Sequence, residues 1–440
     1  MKHLGLLFSL ALIATVVVGA CILRMTASVT IEGDQIDQKI DGFGASSADF
    51  VKPLSPEQAN FFFTAAGIGL TILRVQLIPD RMTCNAEFQN GGCSAANGQI
   101  LDGELRTAQL AVARGAIVIA TPWSPPAAFK TNGSFKNGGS LLPARYADWA
   151  SQMAEFVVMM KSNGVPIYAV SIQNEPDIKT AYGSCLYTAQ QVHDFVPYLH
   201  RALQSAGVGA TKIMIAEESG WRFDLASSAL GDAHVSPYVD IVAAHGYNNG
   251  FHPFPLKAVP LWQSEDSSQS PVYDGSMKDG IQWADTIHRF LSAGNINAWL
   301  WWFLTDMRGQ GEGTDNAALT DIRGNIPKRA YVTGQWSRFV RPGWFRVETA
   351  RSGRPEITAF KEPQGGAFAI VAVNRSSFPI RTTFLLKGLT AVSVVPWITS
   401  RSCSLAAQPR VGVYASKFVY ILPARSVITF SGGADDHLVQ

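Results

Sequence analysis

The stretch that decides the fold is Ile167-Tyr-Ala-Val-Ser-Ile-Gln-Asn-Glu-Pro-Asp177. It begins as a short apolar run, residues 167–172, and turns polar without a break at Gln173. A continuous apolar run of this length predicts a strand of a parallel sheet, because such strands are covered on both faces. The polar residues that follow then lie at the carboxyl end of the strand, where parallel barrels place their chemistry.

Similar runs recur along the chain and alternate with longer helical patterns. The predicted strands are 40–45, 70–76, 117–121, 167–172, 212–216, 241–246, 261–264 and 297–303. Eight strand–helix units over about 300 residues match the size of a (β/α)₈ TIM barrel, and we predict this α/β fold for residues 36–343. The alternative is a doubly wound sheet, but no Gly-x-Gly-x-x-Gly opens a helix after the first strand.

Helix signals support this alternation. Ser55 with Gln58, and Thr188 with Gln191, have the spacing of capping boxes at helix starts. Residues 144–162 carry large apolar side chains at three- and four-residue spacing, which predicts a helix packed on the barrel. Those side chains are Tyr146, Trp149, Met153, Phe156 and Met160.

The pattern changes near the C-terminal end of the chain. Short strands separated by turns are predicted at 356–360, 367–374, 382–386, 392–396, 417–422 and 426–430. Such spacing is typical of an antiparallel β-sandwich, and we predict one over residues 344–433. A strand from residues 27–35 is expected to join it.

The chain starts with a targeting pattern. A short positive start, an apolar run over residues 4–22 and small residues near its end predict a signal peptide over residues 1–21. We therefore expect a secreted, cell-surface or periplasmic protein. An uncleaved membrane anchor is one alternative. Another is a lipoprotein, because Val18-Gly-Ala-Cys21 resembles a lipoprotein cleavage box and would leave a lipid anchor on Cys21 as the only membrane contact.

Composition excludes several classes of function. A net charge of +2 and the lack of long Lys/Arg runs argue against binding to nucleic acid. No zinc-binding spacing occurs, so we expect neither metal nor cofactor. The five cysteines suit an oxidising compartment, in which Cys84 and Cys93 flank a turn-rich loop and are candidates for pairing. The partners of Cys185 and Cys403 stay open, and a fully reduced chain is the alternative.

Candidate functional residues follow the predicted strands. They are Arg74, Trp123, Asn174, Glu175, Glu217, Glu218, His245, Tyr247, Glu265, Trp301 and Trp302. Glu175 and Glu265 follow strands four and seven, which lie near opposite sides of an eight-stranded ring. Paired carboxylates that flank a sugar are what glycoside hydrolysis needs. Trp123 with Trp301 or Trp302 would supply apolar platforms for sugar faces. Glu217 and Glu218 are alternative candidates for the nucleophile, or for holding Arg74.

Six segments together resemble glycoside hydrolase family 30. They are Asp41-Gly-Phe-Gly44, Trp123-Ser-Pro-Pro126, Val170-Ser-Ile-Gln-Asn-Glu-Pro176, Ala244-His-Gly-Tyr247, Trp262-Gln-Ser-Glu265 and Arg338-Phe-Val-Arg-Pro-Gly343. The resemblance spans residues 36–433 and implies a barrel packed on a side β-sandwich. It also implies hydrolysis with retention at the anomeric carbon.

The resemblance also implies a role for each matching residue. Glu175 is similar to the general acid/base and Glu265 to the nucleophile. Asn174 would bind the sugar hydroxyl beside the reacting carbon, Tyr247 would orient the nucleophile, and Arg74 would keep it ionised. From the chemistry of the acid/base we predict a raised pKa for Glu175, caused by burial and by the charge of Glu265.

The expected function is a secreted, monomeric, retaining endo-glycosidase acting on a β-linked plant polysaccharide. The segment Lys328-Arg-Ala-Tyr331 is similar to bacterial xylanases, so endo-β-1,4-xylanase is the expected activity. An endo-β-1,6-glycanase, a glucosylceramidase-like enzyme and a non-catalytic carbohydrate-binding protein are the alternatives.

Requirement for a glucuronate side chain is a separate question. Family members with that requirement carry adjacent arginines after the eighth strand, where this chain has Thr305 and Asp306. Arg308 follows two residues later and is a further substrate-binding candidate. We predict that glucuronate is not required, because an anionic Asp306 would repel it.

Overall fold

The computed structural model describes residues 26–433 except 51, 79–94, 248–253, 255–258, 271, 307–316, 322–323, 353 and 365. Eight parallel strands close into a barrel, which confirms the predicted (β/α)₈ fold. They are β2 (Gly42–Ser46), β3 (Ile72–Gln76), β4 (Ile117–Thr121), β5 (Ile167–Ser171), β6 (Lys212–Glu218), β7 (Ile241–His245), β8 (Leu261–Glu265) and β9 (Ala298–Thr305). Pairing of β9 with both β2 and β8 closes the ring, and β10 (Ala318–Thr320) extends it beside β9.

Helices cover the outside of the barrel. They are α1 (Pro56–Phe63), α2 (Ala95–Val112), α3 (Tyr146–Ser162), α4 (Ala189–Ser205), α5 (Ser227–Gly231), α6 (Met277–Ser292) and α7 (Lys328–Ser337). Both predicted capping boxes are confirmed, at Ser55 for α1 and at Thr188 for α4. The predicted apolar face of α3 is buried as expected. Every helix in the described residues is too short or too polar to span a bilayer.

The lumen of the barrel is apolar in its middle and aromatic at its amino end. Ile72, Ile119, Met214, Ile241 and Leu300 belong to one buried cluster that fills the middle layer. Below it, the rings of Tyr168 and Trp262 stack with centroids 6.2 Å apart and planes 9° apart. We call this pair the aromatic floor. It closes the lumen at the end opposite to the carboxyl ends of the strands.

The remaining strands form a second, mostly antiparallel sheet beside the barrel. They are β1 (Thr26–Lys39), β11 (Phe345–Ser352), β12 (Glu356–Lys361), β13 (Phe368–Asn374), β14 (Ile380–Lys387), β15 (Ser393–Thr399), β16 (Ala406–Ala407), β17 (Val411–Gly412), β18 (Lys417–Leu422) and β19 (Ser426–Gly432). β1 lies between β11, to which it is antiparallel, and β14, to which it is parallel. It therefore includes residues 36–39, which the sequence assigned to the barrel.

The second sheet curves so that its two halves enclose a core. Phe384 of β14 and Phe418 of β18 pack against Phe430 of β19, with ring centroids 5.0 and 5.1 Å apart. Helix α7 joins this side sheet to the barrel, since the Trp336 indole donates to Thr358 and the Gln335 amide donates to Thr399. Cys185 and Cys403 are unpaired, and Cys21, Cys84 and Cys93 lie outside the described residues.

Candidate active site

Two carboxylates meet at the carboxyl end of the barrel. Glu265 is the last residue of β8, and Glu175 follows β5 in the segment Gln-Asn-Glu. One oxygen of each lies within 4.8 Å of the other, as does a ring nitrogen of His245. Both side chains are nearly buried, at 7% and 5% exposed. The structure thus brings together the two carboxylates that the sequence singled out.

Irregular backbone aims the side chains at this end. Glu175 has a φ of 44°, and Ala216 and Glu217 have φ values of 70° and 55°, all in the left-handed region. The register of β6 against β7 shifts between Ala216 and Glu218. An extra residue in one strand turns the following side chain, and such strained positions occur at functional sites. The bulge directs Glu217 into the lumen.

Arg74 on β3 connects the site. Its Nη1 donates to Glu265 Oε2 at 2.6 Å, its Nη2 to Asn174 Oδ1 at 2.6 Å, and its Nε to Glu217 Oε1 at 3.0 Å. The side chain is fully buried. A planar guanidinium has donors in a fixed fork, so Arg74 sets the relative positions of its three partners.

His245 and Tyr247 complete the contacts of the two carboxylates. His245 Nδ1 lies 3.2 Å from Glu175 Oε1 and 3.7 Å from Glu265 Oε1. The Tyr247 hydroxyl donates to Glu265 Oε1 at 3.1 Å. Glu265 is therefore held by Arg74 on one oxygen and by Tyr247 on the other. We call Arg74, Glu175, Glu217, His245 and Glu265 the charged cluster.

Protonation in the charged cluster follows from burial and from neighbouring charge. Burial alone would lower the pKa of His245, but Glu265, Glu175 and Glu217 raise it to about 10. Burial raises the pKa of Glu217, yet the charges of Arg74 and His245 outweigh it and lower that pKa to about 2. At neutral pH both His245 and Glu217 are therefore charged. Three carboxylates face two cations, so binding of one proton by Glu175 or Glu265 neutralises the cluster.

The raised pKa predicted for Glu175 is wrong for the free enzyme. Burial does oppose its charge, but hydrogen bonds from His245 and Tyr182 and the charge of Arg74 lower the pKa below its usual value. Burial raises the pKa of Glu265, against the charges of His245 and Arg74. The sequence did not reveal how many donors would reach Glu175.

Two tryptophans form apolar walls beside the charged cluster. Trp123 follows β4 and Trp302 lies on β9, with ring centroids 5.8 Å apart. The Arg74 guanidinium carbon lies 4.9 Å from the Trp123 centroid and 5.8 Å from that of Trp302. Both rings can therefore contact a sugar whose reacting carbon lies at Glu265.

Trp301 cannot be a sugar platform, contrary to the sequence expectation. It is fully buried, its indole donates to the Ala317 carbonyl, and its ring packs on Trp283 of α6. The register of β9 against β2 shifts after Trp301, because Ala45 pairs with Trp301 and Ser46 with Phe303. Beside this shift Trp301 points outward onto α6, whereas Trp302 is partly exposed.

Sequence reasoning missed one residue of the site and left another open. The Tyr182 hydroxyl donates to Glu175 Oε2 at 2.6 Å, from a long loop without strand periodicity. Of the two candidate carboxylates on β6, Glu217 holds Arg74, whereas Glu218 accepts from the Leu225 backbone. Glu217 thus lies below the reacting pair and faces Arg74.

The end of β9 bears on the glucuronate question. Thr305 is buried and donates to the Asp321 carbonyl, and the backbone N–H of Asp306 donates to Thr320. Asp306 is 8% exposed. Arg308 lies outside the described residues.

One group of described side chains has the geometry for a metal ion, namely Glu175, His245 and Glu265. Their oxygens already accept hydrogen bonds from Arg74, Tyr182 and Tyr247. A cation would have to displace these donors. The arrangement is better suited to moving a proton and a glycosyl group than to holding a metal.

Sequence comparisons agree with this geometry. The Glycosyl hydrolase family 30 TIM-barrel domain matches residues 102–256. Glucuronoxylanase XynC of Bacillus subtilis (strain 168) is 29% identical over 343 residues, which cover 74% of this chain and 76% of that protein. Lysosomal acid glucosylceramidase of Mus musculus is 25% identical over 408 residues, which cover 81% of this chain and 78% of that protein.

Structural comparison extends the similarity to the side sheet. The glycoside hydrolase family 30 subfamily 8 xylanase Xyn30A from Clostridium acetobutylicum superposes with a TM-score of 0.80 at 31% identity. The match covers 92% of this chain and 100% of that one, so both barrel and side sheet are shared. The chain therefore belongs to glycoside hydrolase family 30 and is a glycosidase.

Proposed function

We propose that this chain is a retaining endo-β-1,4-xylanase that does not require glucuronate side chains. The observation that carries the proposal is the spacing of Glu175 and Glu265, with one oxygen of each within 4.8 Å of the other. Retaining enzymes keep their carboxyl groups about 5–5.5 Å apart, whereas inverting enzymes leave room for a water molecule between them. Direct attack by a carboxylate is the chemistry that suits this spacing.

In the first step Glu265 attacks the anomeric carbon while Glu175 gives its proton to the departing glycosidic oxygen. Arg74 and Tyr247 hold Glu265 by one oxygen each, which fixes the direction of attack. In the second step Glu175 removes a proton from water, and the oxygen of that water displaces Glu265 from the sugar. Two inversions at the same carbon give net retention.

Xylan is the proposed polymer because one relative reported above is named as a xylanase and another as a glucuronoxylanase, both at higher identity than the glucosylceramidase. These are Xyn30A at 31% and XynC at 29%, against 25% for the mouse glucosylceramidase. Trp123 and Trp302 provide flat apolar walls for sugar rings. An endo-β-1,6-glycanase and a glucosylceramidase-like enzyme are the competing activities.

Independence from glucuronate is proposed from the end of β9. Thr305 and Asp306 occur where a guanidinium is needed to hold a carboxylate with two hydrogen bonds. At about 4 Å, an ionised Asp306 would repel glucuronate by about 1 kcal/mol in water and by more when shielded from it. Rates on glucuronoxylan and on xylan stripped of glucuronate test this. Similar rates are expected, and a large preference for the decorated polymer that Arg308→Ala abolishes would contradict it.

Product analysis tests the proposed activity. Wild-type enzyme is incubated with xylan, β-1,6-galactan, β-1,6-glucan and glucosylceramide, and proton NMR records the first anomer released. We expect xylo-oligosaccharides released as the β-anomer. An α-anomer would contradict retention, and cleavage of only a β-1,6-glycan or the lipid would contradict the proposed substrate.

We also propose that the enzyme acts outside the cytoplasm. A polysaccharide cannot cross a membrane intact, and residues 1–21 have the pattern of an export signal. Mass spectrometry of the mature N-terminus from the native host tests this. A lipid on Cys21 would indicate an anchored form, and an intact N-terminus in the cytoplasm would contradict export.

A further inference from the structure

Tyr182 occupies the open side of Glu175. It lies in the loop between β5 and α4, and its side chain is 49% exposed. The other side-chain contacts of Glu175 come from Asn174 and His245, which are 3% and 0% exposed. A glycosidic oxygen can approach Glu175 only from the solvent side. That is the side on which the Tyr182 hydroxyl lies.

The loop that carries Tyr182 is held in place by buried polar contacts. The Ser184 hydroxyl accepts from the backbone N–H groups of Gly138 and Thr180, at 3.0 and 3.3 Å. Lys130 is buried and its ammonium donates to the Ser184 carbonyl at 2.5 Å. Gly183 packs so closely that a Cβ there would lie 2.5 Å from the ring of Phe135. The position of Tyr182 is therefore set by the fold.

Hydrogen bonding explains why Tyr182 must move during the reaction. His245 donates to Glu175 Oε1. Glu175 Oε2 accepts from the Tyr182 hydroxyl at 2.6 Å and from the Asn174 amide at 3.5 Å, so both lone-pair sites of Oε2 are used in the free enzyme. A carboxylate in that state has no proton to give to a leaving group. One of the two donors to Oε2 has to leave before that oxygen can carry the proton, and Asn174 is buried and held by Arg74. Tyr182 is the donor with access to solvent.

We propose that Tyr182 forms the wall of the leaving-group subsite and that its hydroxyl caps Glu175 until the glycosidic oxygen of the substrate displaces it. The phenol keeps its own proton throughout. Glu175 then takes up one proton from a solvent acid and gives it to the glycosidic oxygen, as the bond from that oxygen to the anomeric carbon breaks and the bond from Glu265 to that carbon forms. The ring of Tyr182 turns its apolar face to the first sugar of the leaving group.

Four other charged groups surround Glu175 and influence its pKa. The charged groups that face Glu175 are Arg74 from β3, Glu217 from β6, His245 from β7 and Glu265 from β8. All of them are buried. Removal of one donor from an ionised carboxylate raises its pKa, since the charged form loses a stabilising contact. Substrate binding therefore promotes protonation of the acid/base.

The hydroxyl is tested with Tyr182→Phe, which keeps the ring. The Glu175 carboxyl is titrated by ¹³C NMR in the free enzyme, with Glu175→Gln identifying the signal. We expect the pKa of Glu175 to rise by about one unit in Tyr182→Phe. The alkaline limb of kcat/KM should shift upward with it, because that limb reports the free enzyme, whereas the limb of kcat should not move.

The matched control is Tyr198→Phe, a tyrosine on α4 that is 37% exposed and contacts the charged cluster nowhere. Neither the Glu175 signal nor either kinetic limb should move in it. An unchanged or lowered pKa of Glu175 in Tyr182→Phe would overturn the cap. So would equal shifts of the kcat and kcat/KM limbs, because the hydroxyl would then stay bound in the complex.

The ring is tested with Tyr182→Ala on two substrates. For the polymer, KM should rise roughly five- to tenfold beyond that of Tyr182→Phe, as expected for loss of an aromatic contact. For a glycosyl fluoride with the same non-reducing sugars, whose leaving group is too small to reach the ring, KM should stay within about twofold. Equal changes on both substrates would overturn the subsite.

The choice of sugars rests on the proposed xylanase activity, but the NMR titration needs no substrate. If xylan is not cleaved and the titration still shifts, only the proposed substrate fails. If xylan is cleaved and the titration does not shift, only the inference about Tyr182 fails.

Discussion

The two ends of the barrel lumen are built from the same eight strands and filled in opposite ways. At the carboxyl end the lumen contains the charged cluster, whose members are all nearly buried. At the amino end it contains the aromatic floor. Two charged side chains contact the rings there: Asp41 accepts from the Trp262 indole at 2.9 Å, and Lys212 donates to the Tyr168 hydroxyl at 2.7 Å with its Nζ 4.5 Å from the ring centroid.

This difference shows which buried charges the barrel needs for folding and which it does not. The aromatic floor fills the lumen with two stacked rings, so packing of apolar side chains is enough to close that end of the barrel. Buried ion pairs often stabilise less than apolar packing of the same volume, because both charges lose water. The charged cluster is therefore better explained by its chemistry than by a gain in stability.

The largest effect is expected from Glu265→Gln. Without a nucleophile the covalent step is lost, and turnover should fall by about 10⁴-fold or more. Glu218→Gln is the matched control, because Glu218 follows the neighbouring bulge and faces away from Arg74. Steady-state kinetics on the cleaved polymer measure both. A larger loss in Glu218→Gln than in Glu265→Gln would indicate that Glu218 is the nucleophile and Glu265 is not.

Glu175→Gln should give the next largest loss, and the loss should depend on the leaving group. Cleavage of polymer needs a proton on the glycosidic oxygen and should slow by about 10²–10⁴-fold. The first step on an aryl glycoside with an acidic phenol needs no such proton and should be nearly unaffected. Burst kinetics on both substrates measure this step. Equal losses would show that Glu175 does not act as the acid.

Trp302→Leu and Trp262→Leu compare the two ends directly. Trp302→Leu should lower kcat/KM by roughly tenfold with little change in melting temperature, because its ring contacts the open site. Trp262→Leu should lower stability through the cavity it leaves, by less than the roughly 3–5 kcal/mol expected of truncation to Ala, while the folded fraction keeps its activity. Thermal melts and kinetics on the same samples measure both. Loss of stability in Trp302→Leu together with loss of activity in Trp262→Leu would contradict this contrast between the two ends of the lumen.

Glu217→Gln and Asp41→Asn should differ in how stability depends on pH. The folded pKa of Glu217 is lowered to about 2, so its contribution is complete above its ordinary value and lost as the pH falls towards 2. Its loss should cost about 2 kcal/mol at pH 7, less than a fully broken buried pair because Glu265 still faces Arg74.

Asp41 should behave in the opposite way. Burial raises its folded pKa, so its ionised form opposes folding once the pH passes that value. Asp41→Asn should therefore be neutral or stabilising at pH 7, and its effect should vanish in acid. Urea unfolding between pH 2 and pH 7 measures both variants. A destabilised Asp41→Asn at pH 7 would show that the charge on this residue supports the fold.

The sequence predicted the strands and the reacting pair because both depend on local patterns. Apolar runs mark the strands of a parallel barrel, and a carboxylate directly after such a run must lie at its carboxyl end. That rule placed Glu175, Glu217, Glu218 and Glu265 at the same end of the barrel, and the resemblance to family 30 singled out Glu175 and Glu265. The length of the chain and the change of pattern after residue 343 were enough to predict the side sheet.

What the sequence could not predict depends on register and on loops. The choice between Trp301 and Trp302 was decided by the shift in β9, which apolar periodicity does not reveal. Glu217 faces the lumen because of the bulge in β6. Tyr182 reaches Glu175 from a loop whose path is set by contacts with Ser184 and Lys130, which are distant from any strand pattern.

Strand β1 has a consequence for how the protein is synthesised. Ser28 pairs with Ser352 and Thr26 with Arg381, so the first described strand meets its partners only after the barrel has been translated. At about 5–20 residues per second, this interval is tens of seconds. During it, Val29 and Ile31, both fully buried in the finished sheet, are exposed on an unpaired strand. The side sheet cannot be made complete by expressing residues 344–433 alone, because β1, which lies between β11 and β14, precedes the barrel. Removal of β1 would likewise leave β11 and β14 with unpaired edges, and open strand edges favour aggregation.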